Sequence, residues 1–281
     1  MKKTFFTALC GLFALLAFAE RKTPTTVIMQ VTDPQMGFYT DNRDMVYETE
    51  ALTRIVEAIN RIRPDAVVFT GDYVHDTDNE GQWIGFLRII AGIDPRIRTA
   101  YVPGNHDVHV INGSVDTAPY ERHLGADRFH IRVKNVLLTG INSGYLKDGT
   151  ADPAIAERQF RWLEKTLSRK RDHEVSILFA HHPFFLERID EPEGYSTLAP
   201  EVRRNYFRLF EETGVDAVFT GHLHDNAATE YRGIPMIVTG PAGRPLGEAP
   251  SGLRIITVRD GTIHHRYYPI DDLPADRTSL E

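Results

Sequence analysis

Short, uninterrupted apolar runs recur along the chain, and they stop abruptly at polar residues. Thr26 to Thr32 ends at Asp33-Pro34, Ala66 to Thr70 at Gly71-Asp72, and Thr99 to Val102 at Pro103-Gly104-Asn105; Val175 to Ala180 ends at His181-His182-Pro183, and Ala217 to Thr220 at Gly221-His222. A strand with one face in water alternates apolar and polar residues, so runs without alternation read as strands covered on both faces. Helical periodicities lie between them. Met45, Leu52, Ile55, Val56, Ile59 and Ile62 recur at helix spacing before Pro64, and Trp83 to Ile93 and Val202 to Phe210 do the same. Ala154 to Leu167 reads as a helix opened by Asp152 as N-cap and Pro153 at its first position. Arg128 to Thr139 reads as one further strand. After about residue 227 the helical period ends: Tyr231 to Thr239 and Leu253 to Val258 read as strands, and Asp260-Gly261 as a hairpin turn into Thr262 to Tyr268. Strands alternating with helices predict an α/β fold with a strand-rich C-terminal part.

The amino terminus stands apart from this pattern. Lys2 and Lys3 precede an apolar stretch from Phe5 to Ala19 that closes on Ala17-Phe18-Ala19, just before Glu20-Arg21-Lys22. Residues 1–19 therefore read as a secretory signal peptide, too short for a bilayer that takes roughly 20 apolar residues. The mature chain, residues 20–281, is expected to be secreted or periplasmic, with no stable membrane anchor. Cleavage of 19 of the 281 residues, Lys2 and Lys3 among them, leaves 262 and takes the formal net charge from −7 to −9. The single cysteine, Cys10, goes with the signal peptide, which excludes a disulfide framework, a Cys-rich zinc module and a cysteine nucleophile. An acidic chain without a basic stripe is not expected to bind nucleic acid. No linker or low-complexity stretch divides residues 20–281, so they form one domain.

The polar residues that end the strands are of metal-ligand type. In open α/β sheets ligands bind at the C-terminal edge of the strands, and there the chain places Asp33 and Gln35, Asp72, Asn105, His181, and His222 with His224. On an extended backbone Asp33 and Gln35 would share a side, as would His222 and His224. Carboxylate, amide and imidazole without sulfur suit Mn²⁺, Fe, Zn²⁺ or Mg²⁺. The set is too large for one ion and about right for two that share a carboxylate. Such pairs, ~3.5–4 Å apart, act in in-line displacement at phosphorus. One internal echo stands out: Asp65-Ala-Val-Val-Phe-Thr-Gly-Asp72 and Asp216-Ala-Val-Phe-Thr-Gly-His222 nearly repeat, a hint of two related halves.

The series Asp-x-Gln, Gly-Asp-x-x-x-Asp (Gly71 to Asp76), Gly-Asn-His-Asp, His-His-Pro and Gly-His-x-His resembles the calcineurin-like metallophosphoesterase family, in the family's order and over nearly the whole mature chain. The resemblance implies a four-layer α/β/β/α sandwich with a dinuclear site at its strand ends. It implies that Asp33, Asp72 and His224, with Gln35 beside them, hold the first ion. Asp72 would bridge to the second, completed by Asn105, His181 and His222. His181 is preferred to His182 because it sits directly at the strand end. His106 would assist the leaving group, with Asp107 orienting it. The departure from the family's usual Asp-x-His is Gln35, a weaker neutral ligand that favours Mn²⁺ or Mg²⁺ over redox-active iron. The expected activity is hydrolysis of phosphate esters, first of all monoesters, on a small molecule or a phosphoprotein, by a water bridging the two ions. The alternatives are a phosphodiesterase acting on cyclic nucleotides or glycerophosphodiesters, or a catalytically impaired metal- or phosphate-binding protein. Tyr39, Arg43, His75 and the loop Gly240 to Arg244 are candidate pocket walls.

Overall fold

The apolar runs form strands whose two faces belong to different cores. The computed structural model describes residues 25–171 and 174–280, and the predicted signal segment, residues 1–19, lies outside them. The chain begins with β1 (Thr26–Val31), α1 (Val46–Ile62), β2 (Ala66–Phe69), α2 (Glu80–Ile90) and β3 (Arg98–Tyr101). A small hairpin, β4 (His109–Ile111) and β5 (Ser114–Asp116), and a short helix, α3 (Ala118–Leu124), follow. The next stretch runs β6 (Phe129–Val133), β7 (Val136–Gly140), α4 (Gly144–Lys147), α5 (Pro153–Leu167), β8 (Val175–Phe179), α6 (Pro200–Thr213) and β9 (Ala217–Thr220). Four strands close the fold: β10 (Ala227–Tyr231), β11 (Ile234–Val238), β12 (Gly252–Arg259) and β13 (Thr262–Pro269).

Two large sheets result, ordered β13-β12-β1-β2-β3 and β10-β11-β9-β8-β7-β6. In the first sheet β1, β2 and β3 pair parallel, and β12 pairs antiparallel with both β1 and β13; in the second β11, β9, β8 and β7 pair parallel and the edge strands β10 and β6 pair antiparallel. Alternation along β1 divides its side chains. Val27, Met29 and Val31 pack with Leu52, Ile55 and Ile59 of α1 and with Trp83 and Phe86 of α2. Ile28 points the other way, into a layer shared with Val68, Ile177, Phe179 and Phe219. In the second sheet Leu178 and Val218 face Leu163 of α5 and Phe207 and Phe210 of α6. Helices, sheet, sheet and helices make the four-layer α/β/β/α sandwich, and burial on both faces explains why the strands lack polar alternation. No helix among the described residues is long and apolar enough to cross a membrane.

Local details differ from the sequence reading. Arg128 to Thr139 is two strands, because Lys134 adopts φ 54° and Val133 pairs with Val136 across a tight turn. Tyr231 to Thr239 likewise contains the end of β10, a turn at Arg232 (φ 51°) and Gly233 (φ 79°), and β11. Neither turn carries Asn-Gly or Asp-Gly, so the flanking apolar residues read as continuous; Asp260-Gly261 does carry the signal and turns as expected. Asp152 stands at the N-cap of α5 but makes no side-chain capping bond, which leaves Pro153 as the start signal.

Toward the C-terminal ends of the strands the layer between the sheets becomes polar. Gln30 Nε2 donates to Thr70 Oγ1 and to the Thr220 carbonyl, both at 3.0 Å. Thr239 Oγ1 donates to Gln30 Oε1 at 2.6 Å, and Arg254 Nε donates to Thr239 Oγ1 at 2.8 Å. This buried network joins β1, β2, β9, β11 and β12 and fixes the two sets of strand ends against each other. The sequence echo has a structural counterpart. Asp65 Oδ2 accepts from Val27 N at 2.9 Å and pairs with Lys134, while Asp216 Oδ2 accepts from Ser176 N at 2.8 Å and pairs with Lys170. The repeated segments thus lie as equivalent strands in the two sheets, with Asp72 and His222 at matching ends.

Candidate metal centre

Each predicted ligand follows a strand, yet the backbone that presents it is not extended. Asp33 (φ 51°), Gln35 (φ 39°), Asp72 (φ 53°), His222 (φ 74°) and His224 (φ 52°) all lie in the left-handed region. The expectation that Asp33 and Gln35, and His222 and His224, converge through every-other-residue alternation therefore fails. They converge because the chain turns sharply at each of these positions, a conformation costing non-glycine residues on the order of 1 kcal/mol apiece and typical of functional sites.

Close backbone approach sets the rest of the geometry. A Cβ on Gly221 would fall 2.6 Å from Asp33 Oδ2, so only glycine lets β9 deliver His222 beside the first motif. His222 N then donates to Asp33 Oδ2 at 3.0 Å, and Thr32 Oγ1 donates to the same oxygen at 2.6 Å. Asp33 Oδ1 is left free of hydrogen bonds, 3.4 Å from His224 Nε2. Asp72 Oδ1 accepts from His106 N at 2.9 Å, while Asp72 Oδ2 lies 3.4 Å from His181 Nε2. That same His181 nitrogen is 3.1 Å from Asn105 Oδ1 and 3.1 Å from His222 Nδ1. One potential ligand atom from each of Asp33, Asp72 and His181 lies within 4.8 Å of the others.

The ring orientations are fixed from behind. His181 Nδ1 bonds the Thr70 carbonyl at 2.8 Å and His224 Nδ1 bonds the Arg244 carbonyl at 2.6 Å. A carbonyl can only accept, so both Nδ1 atoms carry hydrogen and both Nε2 lone pairs point into the cluster, as metal-ligating imidazoles are held. His182 bonds Ser143 Oγ through Nδ1 at 2.9 Å, and a nitrogen of its ring lies within 4.8 Å of ligand atoms of His181 and His222, so it borders the cluster. Gln35 Oε1 is buried without a hydrogen-bond partner, and its Nε2 meets His75 Nδ1 at 3.4 Å. Unpaired buried oxygens on Asp33 and Gln35, beside inward-facing imidazoles, are the donor set that divalent cations take.

Charge points the same way. Asp33, Asp72 and Asp107 are buried, and among the described residues none pairs with a lysine or arginine. Burial opposes a proton on His181, but the charge of Asp72 outweighs it and pushes this imidazole up to about 10. Burial, then the neighbouring His181, pushes His222 down to about 4. The cluster demands positive charge that the chain supplies only by protonating a ligand.

The third strand end departs from its expected role. His106 Nδ1 bonds the His75 carbonyl at 2.8 Å, and the ring stacks on His75 at 5.2 Å. Asp107 is not bonded to that ring. Its carboxylate accepts from the backbone N–H of Asp72 (2.7 Å), Tyr73 (2.7 Å) and Gly104 (2.8 Å), so it shapes the turn that presents Asp72. Burial and the charge of Asp72 raise Asp107 to about 7. Asp76 of the second motif is exposed and accepts from Asp78 N.

The walls include residues that the sequence did not single out. Phe38 lies tilted against His75 (4.9 Å) and edge-on to His224 (5.2 Å), and Arg244 lies over Phe38 (5.1 Å) and Tyr39 (5.7 Å). Tyr195 sits 5.5 Å from the His222 ring. Phe38 follows the first motif by three residues, whereas Tyr195 lies in irregular chain with no motif near it. Arg43, proposed as a wall, instead bonds the Thr40 carbonyl at an exposed turn.

The profile of calcineurin-like phosphoesterases matches residues 26–226 of this chain. The serine/threonine-protein phosphatase CPPED1 of Bos taurus is 34% identical over 262 residues, covering 87% of this chain and 84% of the relative. A more distant relative, the cAMP/cGMP dual specificity phosphodiesterase MT0825 of Mycobacterium tuberculosis, is 24% identical over 283 residues, covering 91% and 83%. Among solved structures, purple acid phosphatase PPD1 from yellow lupin (Lupinus luteus) seeds superposes with a TM-score of 0.70 at 15% identity, over 90% of this chain and 52% of that one.

Proposed function

The chain belongs to the calcineurin-like phosphoesterase family of phosphoric ester hydrolases, and from that premise we propose a phosphomonoesterase that works with two divalent cations, Mn²⁺ favoured. The observation that carries this reading is the convergence of Asp72, Asn105, His181 and His222 beside the Asp33–His224 pair. Asp33, Asp72 and His224, with Gln35, would hold one ion; Asp72, Asn105, His181 and His222 would hold the other. When bound, such ions would supply Lewis-acid charge against the phosphoryl oxygens and lower the pKa of a water for attack on phosphorus.

The chain's own groups do the remainder. Asp107 and Gly104 hold the Asp72 turn. The Thr70 and Arg244 carbonyls keep two imidazoles in their ligating orientation. His106 is tethered through Nδ1, so its Nε2 faces outward and, in the protonated ring, can hand a proton to the departing alkoxide.

Monoester preference is supported by the similarity to CPPED1, named a serine/threonine-protein phosphatase. Arg244 adds to it: this cation pairs with no carboxylate among the described residues and lies over the rings beside His224, where a doubly charged monoester gains more than a diester. The mycobacterial relative favours phosphodiester hydrolysis as a second reading. Rates on 4-nitrophenyl phosphate and bis(4-nitrophenyl) phosphate, with Mn²⁺ and the Asp72→Ala and Asn105→Ala variants, decide between them. Faster turnover of the diester overturns the monoester assignment, and undiminished turnover in both variants overturns the site. Secretion after cleavage at Ala19 belongs to the same proposal, and an amino-terminal sequence of the exported protein other than Glu20-Arg21-Lys22 would contradict it.

A further inference from the structure

Between β8 and α6 the chain makes a long irregular excursion that is braced like a framework element. Arg203 of α6 is fully buried, and its guanidinium donates to the carbonyls of Glu191 (2.7 Å) and Pro192 (3.3 Å) and to Thr197 Oγ1 (3.0 Å). Glu191 turns its carboxylate back onto the backbone N–H of Leu186 (2.9 Å), Glu187 (2.8 Å) and Arg188 (3.0 Å). From the other side Lys147 of α4 donates to Glu193 Oε1 (2.8 Å) and to the carbonyls of Gly194 (2.7 Å) and Thr197 (3.0 Å). Burying a guanidinium is costly, and here the return is a loop held in one shape.

The residue this framework presents is Tyr195. Its side chain is 80% exposed, yet its ring lies 5.5 Å from that of the metal-ligand candidate His222. A lone exposed tyrosine needs no explanation. One carried on a loop whose backbone two buried or half-buried cations hold on both sides of it, its ring tilted against the rim of a phosphoester site, is placed to contact what binds there. Because the phosphoryl group belongs at the ligand cluster, the part of the ester within reach of this ring is the alcohol portion.

Resting on the phosphoesterase reading above, we propose that Tyr195 is a specificity-determining residue: it stacks on the alcohol portion of the ester and favours aryl over short alkyl phosphates. Titration calorimetry of the Mn²⁺-loaded protein with phenylphosphonate and methylphosphonate tests this without relying on turnover. The wild type should bind phenylphosphonate about five- to tenfold more tightly, the size of one aromatic contact. Tyr195→Ala should bring the two affinities within about twofold of each other, and Tyr195→Phe should keep the wild-type ratio. If Tyr195→Ala keeps that ratio, or weakens both ligands equally, the inference is wrong while the hydrolase reading stands. If the wild type binds neither phosphonate, both fall.

Discussion

His181 Nε2 and His222 Nδ1 stand 3.1 Å apart, although the two rings come from the ends of different strands. With His181 Nδ1 committed to the Thr70 carbonyl, its other nitrogen brings a lone pair, or a proton the cluster must share, among Asp72, Asn105 and His222. A divalent cation relieves that crowding of acceptors. Mn²⁺ at a hundredfold excess over its Kd should stabilise the fold by about 2.7 kcal/mol, raising Tm by about 5–10 °C for a chain of this size. EDTA should reverse the shift, and Asp72→Ala should flatten it. A wild-type Tm indifferent to Mn²⁺ in scanning calorimetry would remove the metal centre from consideration.

Asp107 and His106 are neighbours with separable roles. Asp107→Ala strands three backbone N–H groups in a buried turn, which should cost about 3 kcal/mol or more in urea unfolding and weaken Mn²⁺ binding as the Asp72 turn relaxes. His106→Ala removes a half-exposed ring and should leave stability within about 0.5 kcal/mol while lowering kcat by about a hundredfold or more. Equal stability losses in the two variants would show that the division is wrong.

Gly104 illustrates a constraint of space rather than of conformation. Its φ of −98° and ψ of −175° suit alanine, but a Cβ there would overlap Asp72 Oδ1. Gly104→Ala should therefore fold and still lose about tenfold or more in Mn²⁺ affinity, as displaced supports of a metal site do. An unchanged affinity by titration calorimetry would mean that Asp72 accommodates the methyl group at no cost.

How much of this was readable in the chain depends on the range of the interaction. Strands such as Ala66–Phe69 and Ala217–Thr220 declare themselves because burial on both faces leaves no polar alternation, and the residues at their ends are of ligand type. The turn at Lys134 was hidden because tertiary pairing, not local turn chemistry, imposes its φ of 54°. The role of Asp107 was hidden for a related reason: adjacency suggested His106, whereas its partners, Asp72 and Tyr73, lie more than thirty positions away. Tyr195 gave no signal at all, since its placement depends on Arg203 and Lys147 reaching into an irregular loop from separate helices.

Asp65 makes acid stability testable far from the site. Burial would raise its carboxyl, but hydrogen bonds from Arg277 and Lys134 and from Val27 N outweigh that and hold it below the usual range. A folded pKa below the unfolded one means that the contribution is complete above about pH 5 and is lost as pH falls through the acid range below about 4. Asp65→Asn should lose about 1–2 kcal/mol at pH 7, and its deficit against wild type should shrink as pH drops below about 4. A deficit that is constant from pH 7 to pH 3 in urea titrations would assign the loss to packing instead.

In the proposed two-ion site, Gln35 would set how firmly the first ion is held. Its Oε1 is buried and unpaired while its Nε2 is 3.4 Å from His75, so the amide has one neutral oxygen free to serve as a ligand. Imidazole is the stronger ligand for Mn²⁺, Fe and Zn²⁺, and Gln35 already occupies the left-handed backbone at φ 39° that a histidine would have to adopt. Gln35→His should therefore tighten the weaker of two Mn²⁺ binding steps by about tenfold or more, with the tighter step nearly unchanged. Turnover separates the remaining possibilities. If the wild type hydrolyses aryl phosphates and the variant merely needs less Mn²⁺, Gln35 tunes metal exchange in a working enzyme. If only the variant turns over substrate, the native protein binds phosphate without cleaving it, and the monoesterase reading is lost.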